Sequence, residues 1–326
     1  MTRLDDLDRR IVAALLRDGR ASWRRIAVAL DEPERTIARQ GTRLLASGAV
    51  RICALPSPTN DEGGETTFVR VRCAPGSQRA IAETMADDPR TLWVSVLAGP
   101  TEVVGEFAHR HGELAGIVDG LALAGSLEID ARPELRLHRT VSGWAPGILE
   151  EHQLDQLGPS EDAALAARDD RSRPDDLTRR LIECLRRNGR ARTDDIAREL
   201  EVSGSTVSRR IEAAVTSSHV LIRAVVDPAL LGFPVESVVS VDATPVELDA
   251  VGDTLARIPS TRWAMNDGTR VVAQLAHADR ADLHRGVRAL GAVPGVTRLT
   301  ISPVISIAKR STIRYRDGRP EPLPKQ

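Results

Sequence analysis

The sequence predicts an α+β chain built as a tandem duplication, each copy a winged helix-turn-helix domain followed by a ferredoxin-like βαββαβ domain. Three observations predict it. Residues 4–52 and 174–222 align without a gap at a shift of 170, with Asp5, Asp6, Leu7, Gly19, Arg20, Ile26, Leu30, Thr36 and Arg39 among the positions repeated. Within each repeat the apolar period changes from helical to alternating. The same shift carries Trp93 onto Trp263 and Pro133 onto Pro303. A duplicated unit lets one chain carry what a symmetric dimer takes from two.

Each copy opens on helices. Leu7, Ile11, Ala14 and Leu15 share one helical face, Asp5 and Asp6 sit where the helix dipole favours them, and Gly19 closes the helix. Leu177, Leu181, Cys184 and Leu185, closed by Gly189, repeat the pattern. Short helices follow at 23–30 and 193–200, then a tight break, then third helices at about 34–46 and 205–216. Three short helices with a break of about three or four residues before the last form a helix-turn-helix. Val50-Arg51-Ile52 and Val220-Leu221-Ile222 read as the strands after it.

The second part of each copy alternates. Strands are expected at 68–73 and 239–242, helices at 77–86 and 246–258, and strand pairs around Gly99 and Gly268. Helices at 112–123 and 280–290 and single last strands at 127–137 and 297–308 complete βαββαβ. The expected domains are therefore 1–55, 56–144, an acidic linker 145–173 with a helical turn at 148–157, 174–226, 227–310, and a loose tail 311–326 with three prolines.

Composition is that of a soluble chain, with 41% hydrophobic and 28% charged residues. No apolar run approaches about 18 residues and the N-terminus lacks an apolar stretch, so neither a membrane span nor a signal peptide is expected, and a cytoplasmic location is. Cys53, Cys73 and Cys184 have no disulfide or metal spacing. The net charge of −1 is unevenly spread: residues 1–55 hold eleven Arg against seven acids and 174–226 ten against eight, while 56–144 hold eight against thirteen. Positive charge on the helical segments suits nucleic acid, because each neutralised phosphate releases counterions.

A helix-turn-helix followed by βαββαβ, opening on LDDLDRRIVAALLRDGR, resembles the Lrp/AsnC (feast/famine) family of transcription regulators over about 4–140 and 174–310. The resemblance implies double-stranded DNA binding through the helix-turn-helix, association through the βαββαβ (RAM) domain, and sensing of an amino-acid-like effector where such domains meet. With two copies fused, an intrachain pseudo-dimer with its two sheets packed face to face is expected, and homo-oligomers beyond it stay open. The copies depart from the family pattern differently. The first has Gln40-Gly41 where an Arg-Ile pair belongs, and the second has Ser218 where a glycine ends the helix. The family's Gly-x-Tyr-Asp turn is Gly99-Pro100-Thr101-Glu102 and Gly268-Thr269-Arg270-Val271 here.

Candidate DNA-binding residues are Arg24, Arg25, Arg35, Thr36, Arg39, Gln40 and Arg43 in the first copy and Ser205, Thr206, Ser208, Arg209 and Arg210 in the second. Arg takes guanine bidentately, Gln takes adenine, and hydroxyls hold phosphate. Asp194 and Asp195 stand where the first copy has Arg24 and Arg25. Candidate effector residues are Gly99, Thr101, Glu102, Gly268, Thr269 and Arg270, with free turn NH groups facing a carboxylate and Arg270 favouring the second copy for an anion. Trp93 and Trp263 read as packing between sheets, and His109 and His277 as structural. Siroheme decarboxylases share the fused two-copy plan, but their His-Asn-Tyr stretch is absent and the single tyrosine is Tyr315. The expectation is a regulator with no enzymatic activity, cofactor or metal; the alternatives are a ligand-binding or scaffold protein that has lost DNA binding, or a siroheme-decarboxylase-like enzyme.

Overall fold

The computed structural model describes residues 4–57, 64–99, 101–158, 173–316 and 319–321. In the first copy, α1 (Asp6–Arg17) is capped by Asp5, whose carboxylate accepts from the Asp8 NH at 2.7 Å. Ser22 caps α2 (Trp23–Leu30), which ends at Asp31 in left-handed backbone, φ 52°. Then come α3 (Glu34–Ala46), β1 (Val50–Pro56), β2 (Gly64–Cys73), α4 (Gln78–Asp87), β3 (Thr91–Leu97), β4 (Glu102–Arg110), α5 (Leu114–Leu123), β5 (Ser126–Pro133) and β6 (Arg136–Arg139). The linker contributes α6 (Glu151–Gln156); residues 159–172 of the expected linker lie outside the described residues.

The second copy repeats the order. Asp175 caps α7 (Asp176–Arg187), α8 (Thr193–Leu200) ends on left-handed Glu201, φ 58°, and Ser203 caps α9 (Gly204–Thr216). β7 (Val220–Val226), the short α10 (Pro228–Leu231), β8 (Val235–Ala243), α11 (Leu248–Arg257), β9 (Thr261–Asn266), β10 (Arg270–His277), α12 (Arg280–Gly291) and β11 (Val296–Arg310) follow. The tail was expected to be loose from Ser311. Instead Ser311 and Thr312 both take positive φ (43° and 69°), the twist that suits a two-residue hairpin, and β12 (Ile313–Arg316) returns to pair with β11. β13 (Arg319–Pro320) pairs with β12.

The chain forms two compact units, each gathering like parts of both copies: the described residues within Met1–Asp61 and Ala145–Leu231 form one, those within Glu62–Trp144 and Gly232–Glu321 the other.

In the helical unit, β1 and β7 pair antiparallel with each other, Val50 against Val226 through Pro56 against Val220. The pairing is reciprocal. Arg20 donates to the Gly189 and Ala191 carbonyls at 2.8 and 3.2 Å, and Arg190 to those of Gly19 and Ala21 at 2.8 Å each. Gly19 and Gly189 were expected as helix-ending glycines, yet neither has positive φ, and the C-caps are Asp18 and Asn188. Their purpose is close approach: a Cβ on Gly189 would stand 2.9 Å from the Ile52 carbonyl oxygen, and one on Gly19 3.2 Å from that of Ile222. The linker is anchored here too, with Leu157 buried and Gly158 accepting from Arg17 at 2.7 Å.

In the other unit the strand order is β5-β2-β4-β3-β11-β8-β10-β9-β6. Each copy supplies a four-stranded antiparallel sheet whose helices cover one face, around Ile81, Met85 and Phe107 in the first copy and Leu248, Leu255 and Leu275 in the second. The opposite faces share one cluster with Phe68, Leu97 and Val104 from one sheet and Val238, Trp263 and Met265 from the other. The expected single last strand at 127–137 is corrected: it breaks after Pro133. Up to Pro133 it pairs with β2; beyond it, Leu135 donates to Asn266 and β6 pairs with β9. At the matching Pro303, β11 leaves β8 and joins β3. Proline has no NH to continue a ladder, so each copy's last strand changes partner there.

Candidate nucleic-acid interface

α3 buries Ile37, Gly41 and Leu44 and turns Arg35 and Arg39 outward, four residues apart on one face. Among the described residues no hydrogen bond or ion pair engages the side chains of Arg24, Arg35 or Arg39, all exposed. Thr36 and Gln40 lie half-buried beside them. Gly41 admits Trp23: a Cβ there would meet the indole at 2.3 Å, and the Arg190 guanidinium lies over the same indole 4.2 Å from its centroid.

Two of the expected contacts are already engaged within the protein. Arg43 donates to Asp8 at 2.6 Å and to Gln40 at 2.9 Å. Arg25 donates to Asp18 at 3.0 Å, to the Gln156 carbonyl at 3.1 Å and to that of Leu157, binding the end of α6. Both guanidiniums are thereby tied into the fold, though the Arg43 side chain stays 56% exposed.

In α9, Ser205, Ser208 and Arg209 are exposed, while the Ser203 hydroxyl engages the hydroxyls of Ser205 at 2.9 Å and Thr206 at 2.8 Å. Arg210 is engaged, donating to Asp175 at 2.5 Å and Thr178 at 3.1 Å. Hydrogen bonds from Thr178 and then Arg210 lower the Asp175 carboxyl to about 2. Asp194 and Asp195 are exposed in the first turn of α8.

The two glycine turns differ. Gly99 has φ +108° and open space where a Cβ would stand, Thr101 uses its carbonyl to accept from Cys73, and Glu102 is bound by Arg70 at 2.5 Å. The second turn is closed. The Asp267 carboxylate accepts from the Thr269 NH and hydroxyl at 2.8 and 2.6 Å and from the Arg270 NH at 2.8 Å. A Cβ on Gly268 would meet Leu135 at 2.7 Å, and Arg270 stands 4.0 Å from both Asp242 and Asp267. The assignment of an anionic effector to Gly268, Thr269 and Arg270 is therefore corrected, since the chain's own carboxylate fills that cradle.

Trp93 and Trp263 meet with centroids 4.9 Å apart. The Trp93 indole donates to Glu106, and the Trp263 indole to Gln274 at 2.9 Å. These acceptors hold matching places in VVGEFAH and VVAQLAH, the one signal in the sequence for a polar group between the sheets. Burial, and then the charge of Glu106, raise the Glu134 carboxyl well above the usual range. Glu236 is equally deep, but Arg310 and Arg262 outweigh its burial and hold its carboxyl low. Sequence reading missed both groups, because their members come from strands far apart in the chain. His109 is held by Thr67 at 2.8 Å and the Arg110 carbonyl at 2.9 Å, and His277 by Asp282 at 3.2 Å.

The AsnC-type helix-turn-helix domain family matches residues 4–44 and 175–214. An uncharacterized HTH-type transcriptional regulator of Pyrococcus abyssi is 28% identical over 102 residues, 31% of this chain and 65% of that protein. One from Pyrococcus furiosus is 34% identical over 85 residues, 26% of this chain and 57% of the other. The chain thus spans less than two thirds of the length of these relatives. A crystal structure of the siroheme decarboxylase NirDL superposes with a TM-score of 0.62 at 10% identity, covering 95% of this chain and 94% of that one. A second, in complex with an iron-uroporphyrin III analogue, gives 0.61 at 12% identity over the same shares. At such identities the likeness is one of fold. It corrects one expectation: that the chain is not an enzyme does not follow from its architecture, because an enzyme has the same fused plan. Among the described residues no helix is long and apolar enough to cross a membrane.

Proposed function

The chain is of the Lrp/AsnC type, two copies fused in one polypeptide, and on that premise we propose that it is a sequence-specific, DNA-binding transcriptional regulator. The observation that carries the reading is the pair Arg35 and Arg39, exposed four residues apart on the last helix of a helix-turn-helix and unengaged among the described residues. Such a helix enters the major groove with its N-terminal half against the bases. Duplexes retained by the purified chain from a random-sequence pool supply the binding site. Arg39→Ala is expected to weaken that site by about 1–3 kcal/mol, and Arg35→Ala to weaken all sequences alike and lower the salt slope by about 1. Wild-type affinity in the double variant overturns the reading.

Three finer points belong to the proposal. Like domains of the two copies pair within one chain, so the monomer acts as a pseudo-dimer; sedimentation of dilute protein as a folded monomer tests it. An amino-acid-like effector is assigned to the open turn at Gly99, Thr101 and Glu102, and calorimetric titration with amino acids and related carboxylates tests it. A cytoplasmic location is proposed with the regulator reading, and cell fractionation tests it. A second reading, catalysis within the fused fold, draws on Glu106, which accepts from the Trp93 indole, and on the raised carboxyl of Glu134 near it. Turnover of siroheme that is lost in Glu134→Gln would favour it over the regulator.

A further inference from the structure

The helical unit is symmetric in backbone and asymmetric in charge. The β1–β7 ladder and the exchanged Arg20 and Arg190 contacts relate the copies residue by residue at the shift of 170. Duplex DNA offers both copies the same phosphate backbone, so a symmetric reader presents matched cations. Here the matched positions differ. Arg24 and Arg25 correspond to Asp194 and Asp195, and Arg35 to Ser205. Arg39 corresponds to Arg209, the one exposed cation retained at matching places on both third helices. Arg210, which stands at the place of Gln40, is held by Asp175. In a helix-turn-helix the helix before the recognition helix crosses the DNA backbone; there Asp194 and Asp195, paired with Arg192 at 3.8 Å and Arg198 at 3.3 Å, offset those cations, where the first copy presents Arg24 and Arg25.

Resting on the DNA reading above, we infer that the partner is an asymmetric duplex: α3 of the first copy reads and grips one half-site, while α9 of the second lies over a weakly specified one. On the second and third helices the first copy contributes three unengaged exposed arginines, 24, 35 and 39, whereas the second contributes unengaged Arg209 and the ion pairs Arg192–Asp194 and Arg198–Asp195. Each phosphate neutralised changes the slope of log affinity against log salt by about 0.9, so most of the salt dependence belongs to the first copy.

The test uses the full chain and the duplexes it retains from a random-sequence pool. The expected motif has one well-defined half and one near-random half. Arg35→Ala/Arg39→Ala should reduce affinity by tenfold or more and flatten the salt slope by about one, while Ser205→Ala/Arg209→Ala costs less than about threefold. All four positions are exposed, so none of these changes removes core packing. Asp194→Arg/Asp195→Arg should tighten binding and steepen the slope by about two. An inverted repeat with equal halves, or equal losses from the two pairs of alanines, overturns the asymmetry and leaves the DNA reading standing. Failure of the wild-type chain to retain any duplex overturns both.

Discussion

Gly41→Ala separates helix propensity from packing. Alanine is preferred to glycine inside a helix by about 1 kcal/mol, so propensity alone has the variant more stable. The structure reverses the sign. The new methyl carbon would stand 2.3 and 2.4 Å from two carbons of the Trp23 indole, against about 3.5–4.0 Å for an ordinary carbon contact. The ring must move by more than about 1 Å, and Arg190 lies over it at 4.2 Å. Overpacking costs about 1–3 kcal/mol, and the disturbed cation–π contact adds about 0.5–1. Set against the propensity gain, the net expectation is destabilisation of about 1–2 kcal/mol. Urea unfolding followed by circular dichroism measures it, and a cycle with Trp23→Thr isolates the cause. Threonine is the residue at the matching position, Thr193, where the facing residue is Ile211. In the Thr background Gly41→Ala should become stabilising by up to about 1 kcal/mol. A stabilised Gly41→Ala with Trp23 in place would refute the packing argument.

Glu134→Gln should stabilise the protein at neutral pH, on the order of 1 kcal/mol. The folded carboxyl is raised, so its charged form opposes folding; stability falls as pH climbs from the unfolded value towards the folded one, and melting curves across pH should flatten in the variant. Asp175→Ala removes the α7 cap and should cost about 1 kcal/mol. Because that carboxyl lies at about 2 when folded against 3.8 ordinarily, its contribution is complete above about 4 and vanishes as pH falls through 2, so the variant and parent should converge in acid unfolding. Glu201→Gly relieves a left-handed backbone with φ 58° and should raise the melting temperature slightly; an unchanged or lower value would show that the turn stores no strain.

The sequence by itself determined the duplication, the three-helix plan and the βαββαβ order, because these rest on local signals: acids repeated at the start of each first helix, apolar residues at helical spacing, alternation in the strands. It also marked Pro133 and Pro303 as equivalent and the two tryptophans as partners. It misplaced the purpose of what depends on distant neighbours. Gly19 and Gly189 serve the partner copy's strand rather than their own helix ends, and Gly41 answers Trp23. The β12 return pairs with a strand that spacing alone cannot identify, and the Asp267 carboxylate closes a turn that looked open. Among the arginines of the first copy, composition treats 24, 25, 35, 39 and 43 alike. Only the tertiary structure separates Arg25 and Arg43, engaged by Asp18, α6 and Asp8, from the unengaged three, because a guanidinium's availability depends on which acceptors the fold brings within about 3 Å of it.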